Sequence, residues 1–380
     1  MQVMTFQYHK SQGWSPQAFP DWDSDQTLVM VFGAPSYKHH LEPFYQLSHA
    51  FRTSHIIGCS TAGEIYDTAV SDETLSVAIV RFEHTRLRLI SANCFSGSAS
   101  YISGNSIAQQ ATSPDLRGLF ILSDGVTVNG SEMVSGINAV IPPSIVVTGG
   151  LAGDGIRFGE TWVIKDGRPQ SGFITAVGLY GDSIQMRHGS KGGWDTYGSQ
   201  LKVTSSYGNR LYTLEDESAL SMYKQYLGPL AAELPSSALL FPLAIRETPT
   251  SEKVVVRTIL SIDENDDAMI FAGDIKRGQY VQFMKANFDH LIQGASQAAE
   301  LLGDTRGVRG DQTLSVAISC IGRRLVLKER SGDELQATLD VLPDGVHQIG
   351  FYSYGEISPY ASGHCDLHNQ TMTLTTFSEQ

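Results

Sequence analysis

The chain has 380 residues, 41% hydrophobic and 18% charged, with a formal net charge of −13. That length allows two to three domains with buried cores. The acidic balance, with no Lys/Arg cluster to offset it, argues against nucleic acid as a partner. No apolar run reaches the roughly 18–20 residues of a membrane span, and residues 1–10 lack the basic start and apolar stretch of a signal peptide. The four cysteines, Cys59, Cys94, Cys320 and Cys365, make no Cys-x-x-Cys pair, so neither a disulfide framework nor a structural zinc site is expected. The expectation is a cytoplasmic protein with reduced thiols and no membrane insertion.

Residues 1–24 are polar and aromatic, carry Pro16 and Pro20, and read as an N-terminal arm with at most one short strand. From 27 onward apolar strands alternate with helical stretches. Strands are expected at 28–32 and 56–59, with a helix between them over 37–52. The runs 75–82 and 87–92 read as an antiparallel pair joined at 83–86. A strand at 116–122 is followed by a helix opened by Ser131 and Glu132 and stopped by Pro142-Pro143, then a strand at 145–148. Lys165-Asp166-Gly167-Arg168 is a hairpin signal. A Gly-rich loop follows at 188–199, then helices at 215–228, 284–303 and 333–342, with strands at 238–245, 254–260 and 269–272 between the first two. The class is α/β, with two related lobes of mixed β-sheet flanked by helices. The expected domains are the arm 1–24, a first domain over 25–200 and a second over 201–380.

Relatedness of the lobes rests on a repeat. Asp25-Gln26-Thr27-Leu28 precedes Gly58-Cys59-Ser60-Thr61-Ala62-Gly63-Glu64-Ile65, and Asp311-Gln312-Thr313-Leu314 precedes Gly350-Phe351-Tyr352-Ser353-Tyr354-Gly355-Glu356-Ile357. The spacing from the first Gly to Gly-Glu-Ile is the same in both. So long a period is not that of a solenoid. It implies paired half-sites in which Glu64 and Glu356 occupy equivalent turns.

The turn after 56–59 frees backbone N–H groups which, with the hydroxyl of Ser60, can hold an anionic group; Gly58 and Ser60 are binding candidates on this ground. Cys59 is a candidate nucleophile only if a base lies near and its pKa is lowered; otherwise it is a small residue packed under a turn. Gly149-Gly150-Leu151-Ala152-Gly153-Asp154-Gly155 lacks the Gly-x-Gly-x-x-Gly and Gly-Lys-Ser/Thr patterns of nucleotide loops. It leaves Gly150 for close backbone approach and Asp154 as either a turn cap or a ligand contact. Eleven histidines are present, none in a His-Glu-x-x-His or His-x-His pattern.

Taken together, 58–65, 149–154, 193–228, Tyr354-Gly355-Glu356-Ile357 and Leu367-His368-Asn369-Gln370-Thr371 resemble the FIST sensory-domain family of bacterial signal transduction, over 25–380. The resemblance implies an N-terminal and a C-terminal sensory part. It also suggests a stand-alone branch that binds haem, senses nitric oxide and regulates a histidine kinase in trans, and other members that bind small amino-acid-like ligands. With no kinase, cyclase or DNA-binding module in the chain, signalling in trans is expected.

A lone imidazole in a Gly-rich, aromatic loop is what an axial ligand to haem b would require. Without Cys-x-x-Cys-His the haem would be non-covalent. His188 is the first choice, because it leaves a strand for a loop where Gly189, Gly192 and Gly193 permit close approach and Trp194 and Tyr197 can serve as walls. His364 is next and His368 third. The leading reading is a haem-based nitric oxide sensor that is not an enzyme. Its rivals are a haem-free small-ligand sensor using Glu64 and Glu356, and a Cys59-dependent enzyme. The sequence is compatible with a homo-oligomer.

Overall fold

In the computed structural model, which describes residues 1–303, 309–360 and 363–380, three mixed sheets surround a shared core and a fourth, antiparallel sheet is attached beside them. The first sheet runs in the order Arg168–Gln170, Val163–Lys165, His55–Ser60, Thr27–Gly33, Thr74–Arg81, Gln2–His9, Gly13–Ser15. The second runs Cys365–His368, Gly355–Pro359, Val146–Leu151, Leu116–Ser123, Phe173–Tyr180, Arg86–Asn93. The third runs Ala69–Ser71, Glu64–Tyr66, His347–Ser353, Leu314–Cys320, Met372–Glu379, Ile184–Lys191. This is the mixed α/β class expected from the sequence.

The three orders follow one plan. A central strand pairs parallel with the strand that returns after a helical crossover: Thr27–Gly33 with His55–Ser60, Leu116–Ser123 with Val146–Leu151, Leu314–Cys320 with His347–Ser353. On its other side each central strand pairs antiparallel with a later strand. Each sheet is extended by a hairpin borrowed from another unit. The hairpin of the first unit, at Glu64, joins the third sheet. That of the second joins the first sheet through Val163, and that of the third joins the second sheet through Glu356. The duplication read from the sequence therefore belongs to a cyclic arrangement of three units, locked by exchanged hairpins. The side chain of Asp311, at the head of the second repeat, lies outside the described residues.

Alternation along the central strands explains the core. Thr27–Gly33 is buried throughout, so both faces must be apolar. Leu28, Met30 and Phe32 face a cluster shared with Phe120 and Leu122 of the second unit and Val316, Ile318 and Phe351 of the third. Val29 and Val31 face Tyr37, Phe44 and Trp162 on the helix side. The rings of Phe32 and Phe351 are 4.7 Å apart.

The fourth sheet is built from Asp195–Tyr207, Arg210–Leu214, Glu217–Ser218, Leu243–Arg246, Val255–Arg257, Ile259–Asp263, Ala268–Phe271 and Tyr280–Lys285. It packs on its own helix, Ala219–Leu227. The chain then returns through Phe288–Glu300, capped by Asn287, whose side chain accepts from Asp289 and His290 N–H. The sheet is thus inserted between Ile184–Lys191 and the rest of the third unit.

Several local expectations need correction. The runs at 75–82 and 87–92 do not pair: Thr74–Arg81 lies between Thr27–Gly33 and Gln2–His9, and Arg86–Asn93 lies on Phe173–Tyr180. The short link carries the chain from one sheet to the next. The arm contributes a full strand, Gln2–His9, paired along its whole length. A helix at Ser100–Ala111 was not anticipated, because its buried face is made of Ser103, Gly104, Ala108 and Ala111 beside the single Ile107, which carries little apolar period. His188 does not open a loop. Ile184–Lys191 continues as a strand through it because every residue pairs with Met372–Glu379.

Candidate functional site

The repeated turns are the first element of the site. Glu64 accepts hydrogen bonds from Thr74 N (3.0 Å) and Thr74 Oγ1 (2.8 Å), and from the Thr61 hydroxyl. Glu356 accepts from Thr371 N (3.2 Å), Thr371 Oγ1 (2.9 Å) and Ser353 Oγ (2.6 Å). Both side chains are buried, and burial pushes their carboxyl pKa values up, to about 7 for Glu64 and about 8 for Glu356, against the opposing pull of those hydrogen bonds. Each Glu sits in the strand that joins a foreign sheet: Glu64 opposite Phe351, Glu356 opposite Gly150. Arg324 fastens the first of these hairpins to the third unit, donating to Ala62 O (2.7 Å) and bidentately to Asp72 (2.8 and 2.7 Å).

In the second unit Val163, opposite Cys59, occupies the place of the glutamates. Its turn is longer and is organised by Asp154, which accepts from Phe158 N (2.8 Å), Gly159 N (2.9 Å), Glu160 N (2.9 Å) and the Tyr354 hydroxyl. Burial pulls the Asp154 pKa upward, but these donors outweigh it and hold the carboxylate below its ordinary range. Gly58 and Ser60 are buried at the end of the strand His55–Ser60; Ser60 accepts through Oγ from Trp162 N (3.0 Å). The Cys59 thiol is fully buried, and burial raises its pKa well above the ordinary value, the reverse of what a nucleophile needs.

The second element is a cavity of about 430 Å³ where the third unit meets the inserted sheet. His188, Trp194 and His368 line it, with Val254, Val256 and Met284 among its apolar walls. Ser358 joins the two imidazoles: its Oγ lies 3.3 Å from His188 Nδ1 and its carbonyl accepts from His368 Nε2 at 3.0 Å. Burial lowers both imidazole pKa values, to about 4 for His368, so both rings are neutral at neutral pH. His368 also stacks on Tyr360, at 14° between ring planes. Thr371 lines the cavity while bonding Glu356, so the second Gly-Glu-Ile turn lies directly behind its wall.

A buried ion pair supports the same wall. Arg323 donates to Glu334 through Nε (3.0 Å) and Nη2 (2.8 Å), to Leu291 O (2.8 Å) and to Gly192 O. Glu334 is completed by Tyr352 (2.8 Å) and Ser319 (3.1 Å). Trp194 is held by its indole N–H on Gln370 O (2.8 Å).

Of the residues chosen from the sequence, the cavity gathers His188, Trp194 and His368, with Glu356 behind them and Gly150 opposite Glu356 in the sheet. Gly58, Cys59 and Ser60 end the strand that enters the first turn and Glu64 opens the strand that leaves it, while Asp154 belongs to the turn of the second unit. His364 is exposed. Tyr197 is half exposed and packs on Tyr226 rather than the cavity. Sequence reasoning missed Ser358, Tyr360 and Arg323. Only the position of Ser358, two residues past Glu356, carried a signal. Among the described residues, no group of three or more His, Cys, Asp or Glu side chains is arranged to hold a metal ion, and no helix is long and apolar enough to cross a membrane.

A cavity at the junction of a repeated α/β core and an inserted sheet is a setting in which small-molecule sites occur. A FIST N domain model matches residues 27–217 and a FIST C domain model matches residues 219–359. The chain belongs to the FIST family of sensory domains of signal transduction. A search of curated proteins finds no match.

Proposed function

We propose that the chain is a sensor whose His188 cavity binds haem b non-covalently, and that the loaded protein senses nitric oxide and regulates a partner histidine kinase in trans from the cytoplasm. The supporting observation is the His188 imidazole. It is neutral, and its Nδ1 is engaged by Ser358, which leaves Nε2 as the nitrogen available to iron; a second hydrogen bond of this kind is how ligating histidines are oriented. The donor chemistry fits a haem: one imidazole, apolar walls from Val254, Val256, Met284 and Trp194, and Lys191 at the rim for a carboxylate. When bound, haem would supply the iron site at which nitric oxide is taken. His188 would hold the iron through its imidazole, Ser358 would keep the proton on Nδ1, and Trp194, pinned to Gln370, would form a fixed wall. A kinase that binds the liganded and unliganded states unequally would then shift its activity. His368 has its Nε2 committed to Ser358 O and is the supporting residue.

Titration of the purified chain with haem tests this reading. The expected result is a saturable Soret band at one haem per chain and a nitric-oxide-dependent change in kinase autophosphorylation. Absence of a saturable band would remove the reading. A haem-free sensor of an amino-acid-like solute has its own support in a second cavity of about 180 Å³, whose charged lining includes Lys253, Arg257, Glu132 and Asp274. Burial lowers the Arg257 pKa to about 10, and its guanidinium donates to the carbonyl oxygens of Asp274, Val256 and Leu367. Calorimetry with amino acids on haem-free protein separates the two readings.

A further inference from the structure

We propose that a third cavity, between the Asp154 loop and the inserted sheet, is a separate binding site for an uncharged planar aromatic molecule of one or two rings. The cavity measures about 270 Å³ and shares no lining residue with the His188 cavity. That volume lies just under the roughly 300–1,000 Å³ of sites for drug-sized ligands, which limits the occupant to one or two rings.

The argument begins with the three related turns. Two are closed by a buried glutamate. In the third the chain makes an additional loop, and Asp154 fixes it by taking three successive backbone N–H groups and the Tyr354 hydroxyl. The apolar side chains it displays are therefore held in place: Ile156 is 68% exposed and Phe158 42%. Phe158 adopts φ 49°, a backbone conformation rare for a non-glycine residue. There its ring lies on Tyr354 at 4.4 Å and 20°.

Phe158 and Tyr354 form one aromatic side of the cavity, and Leu260 and Phe271 of the inserted sheet line it as well. Gly125 makes a thin wall, since a Cβ there would run into Ala152 O and approach the Tyr354 ring at 3.1 Å. No lining residue carries a charge, in a protein with a net charge of −13. A charged ligand would lose hydration there without a counter-charge, whereas an aromatic ring gains offset stacking. Asn209 spends its Nδ2 on Phe271 O (2.8 Å), leaving its Oδ1 to accept from one ligand hydroxyl or N–H.

Ligand-observed NMR on the full chain, with phenol, cyclohexanol and benzoate as probes, tests the site. Phenol is expected to bind, with cyclohexanol about three- to tenfold weaker for loss of the π-face and benzoate weaker still. Phe158→Ala should weaken phenol by a similar factor, and Val126→Arg, placing a charge in the mouth at a residue 42% exposed, should abolish binding without touching the core. His188→Ala should leave phenol binding unchanged. Absent phenol binding, equal binding of cyclohexanol or benzoate, or phenol binding unaffected by Val126→Arg would each overturn the proposal, as would loss of phenol binding with His188→Ala.

Discussion

Glu64 and Glu356, from opposite ends of the chain, close equivalent turns with the same set of bonds. Each accepts from the backbone N–H and the hydroxyl of a threonine at or just before the start of the strand that follows the hairpin, Thr74 or Thr371, and from a hydroxyl three residues before the glutamate itself. Each also sits in the strand that its unit lends to another sheet. The two carboxyls are thus structural locks of the three-unit core, and the second is also a support of the His188 cavity.

A pH dependence follows. Burial raises both pKa values, to about 7 and about 8, above the ordinary glutamate value. A carboxyl raised in the folded state binds protons more tightly there than when unfolded. Its contribution is fully present below the unfolded pKa, near 4.3, and is lost as pH rises through the folded pKa. These two groups should make pH 5 more stabilising than pH 8.5 by on the order of a few kcal/mol. Thermal melts across that range check this: Glu356→Gln, which mimics the protonated side chain, should flatten the slope. Glu356→Ala should lower the melting temperature at every pH, because Thr371 N and Oγ1 lose their buried acceptor.

Three glycines report on the equivalence of the units. A Cβ on Gly58, Gly149 or Gly350 would run into the carbonyl oxygen of Val31, Ile121 or Ala317, the residue paired with it across the parallel strands. Alanine at any of the three should cost about 3 kcal/mol or more, because backbone must move. Gly155, at φ 75° with open space around it, should cost only about 1 kcal/mol on replacement by alanine. Denaturant unfolding of the four variants measures the contrast.

How much of this was legible in the sequence depends on what each unit keeps. The first and third units were readable because both retain Gly-Glu-Ile at fixed spacing. The second was not, since Val163 stands in the glutamate's place and an additional loop separates it from Gly149. Its Gly149 aligns in space with Gly58 and Gly350, but a lone glycine in a Gly-rich run carries no register. The hairpin exchange was invisible for a further reason: alternation shows which residues are buried, and not which sheet buries them. His188 was singled out for its loop, yet it lies in a strand, because pairing with Met372–Glu379 outweighs the weak strand preference of Gly189. Its meeting with His368 depends on Ser358, a contact across the fold that no local pattern encodes.

Arg323 should couple stability to the cavity. It is fully buried, paired with Glu334, and bonded to Gly192 O next to Trp194. Arg323→Ala should destabilise by about 3–5 kcal/mol, because Glu334 is left as an uncompensated buried charge. Replacing both, Arg323→Met with Glu334→Leu, should recover most of that loss. The double variant should still weaken haem binding, because Gly192 and Leu291 lose their donor. Trp194 fluorescence and haem titration read the two effects separately.

His188 as the residue that holds haem is tested most directly by the absorption spectrum of the haem-loaded chain carrying His188→Gly, recorded before and after imidazole is added. The expected result is a displaced Soret band and weaker haem retention in the variant, with imidazole restoring the wild-type position by filling the space of the missing ring. His368→Gly should change retention without the imidazole-reversible displacement. A His188→Gly spectrum identical to wild type, with haem fully retained, would contradict the account.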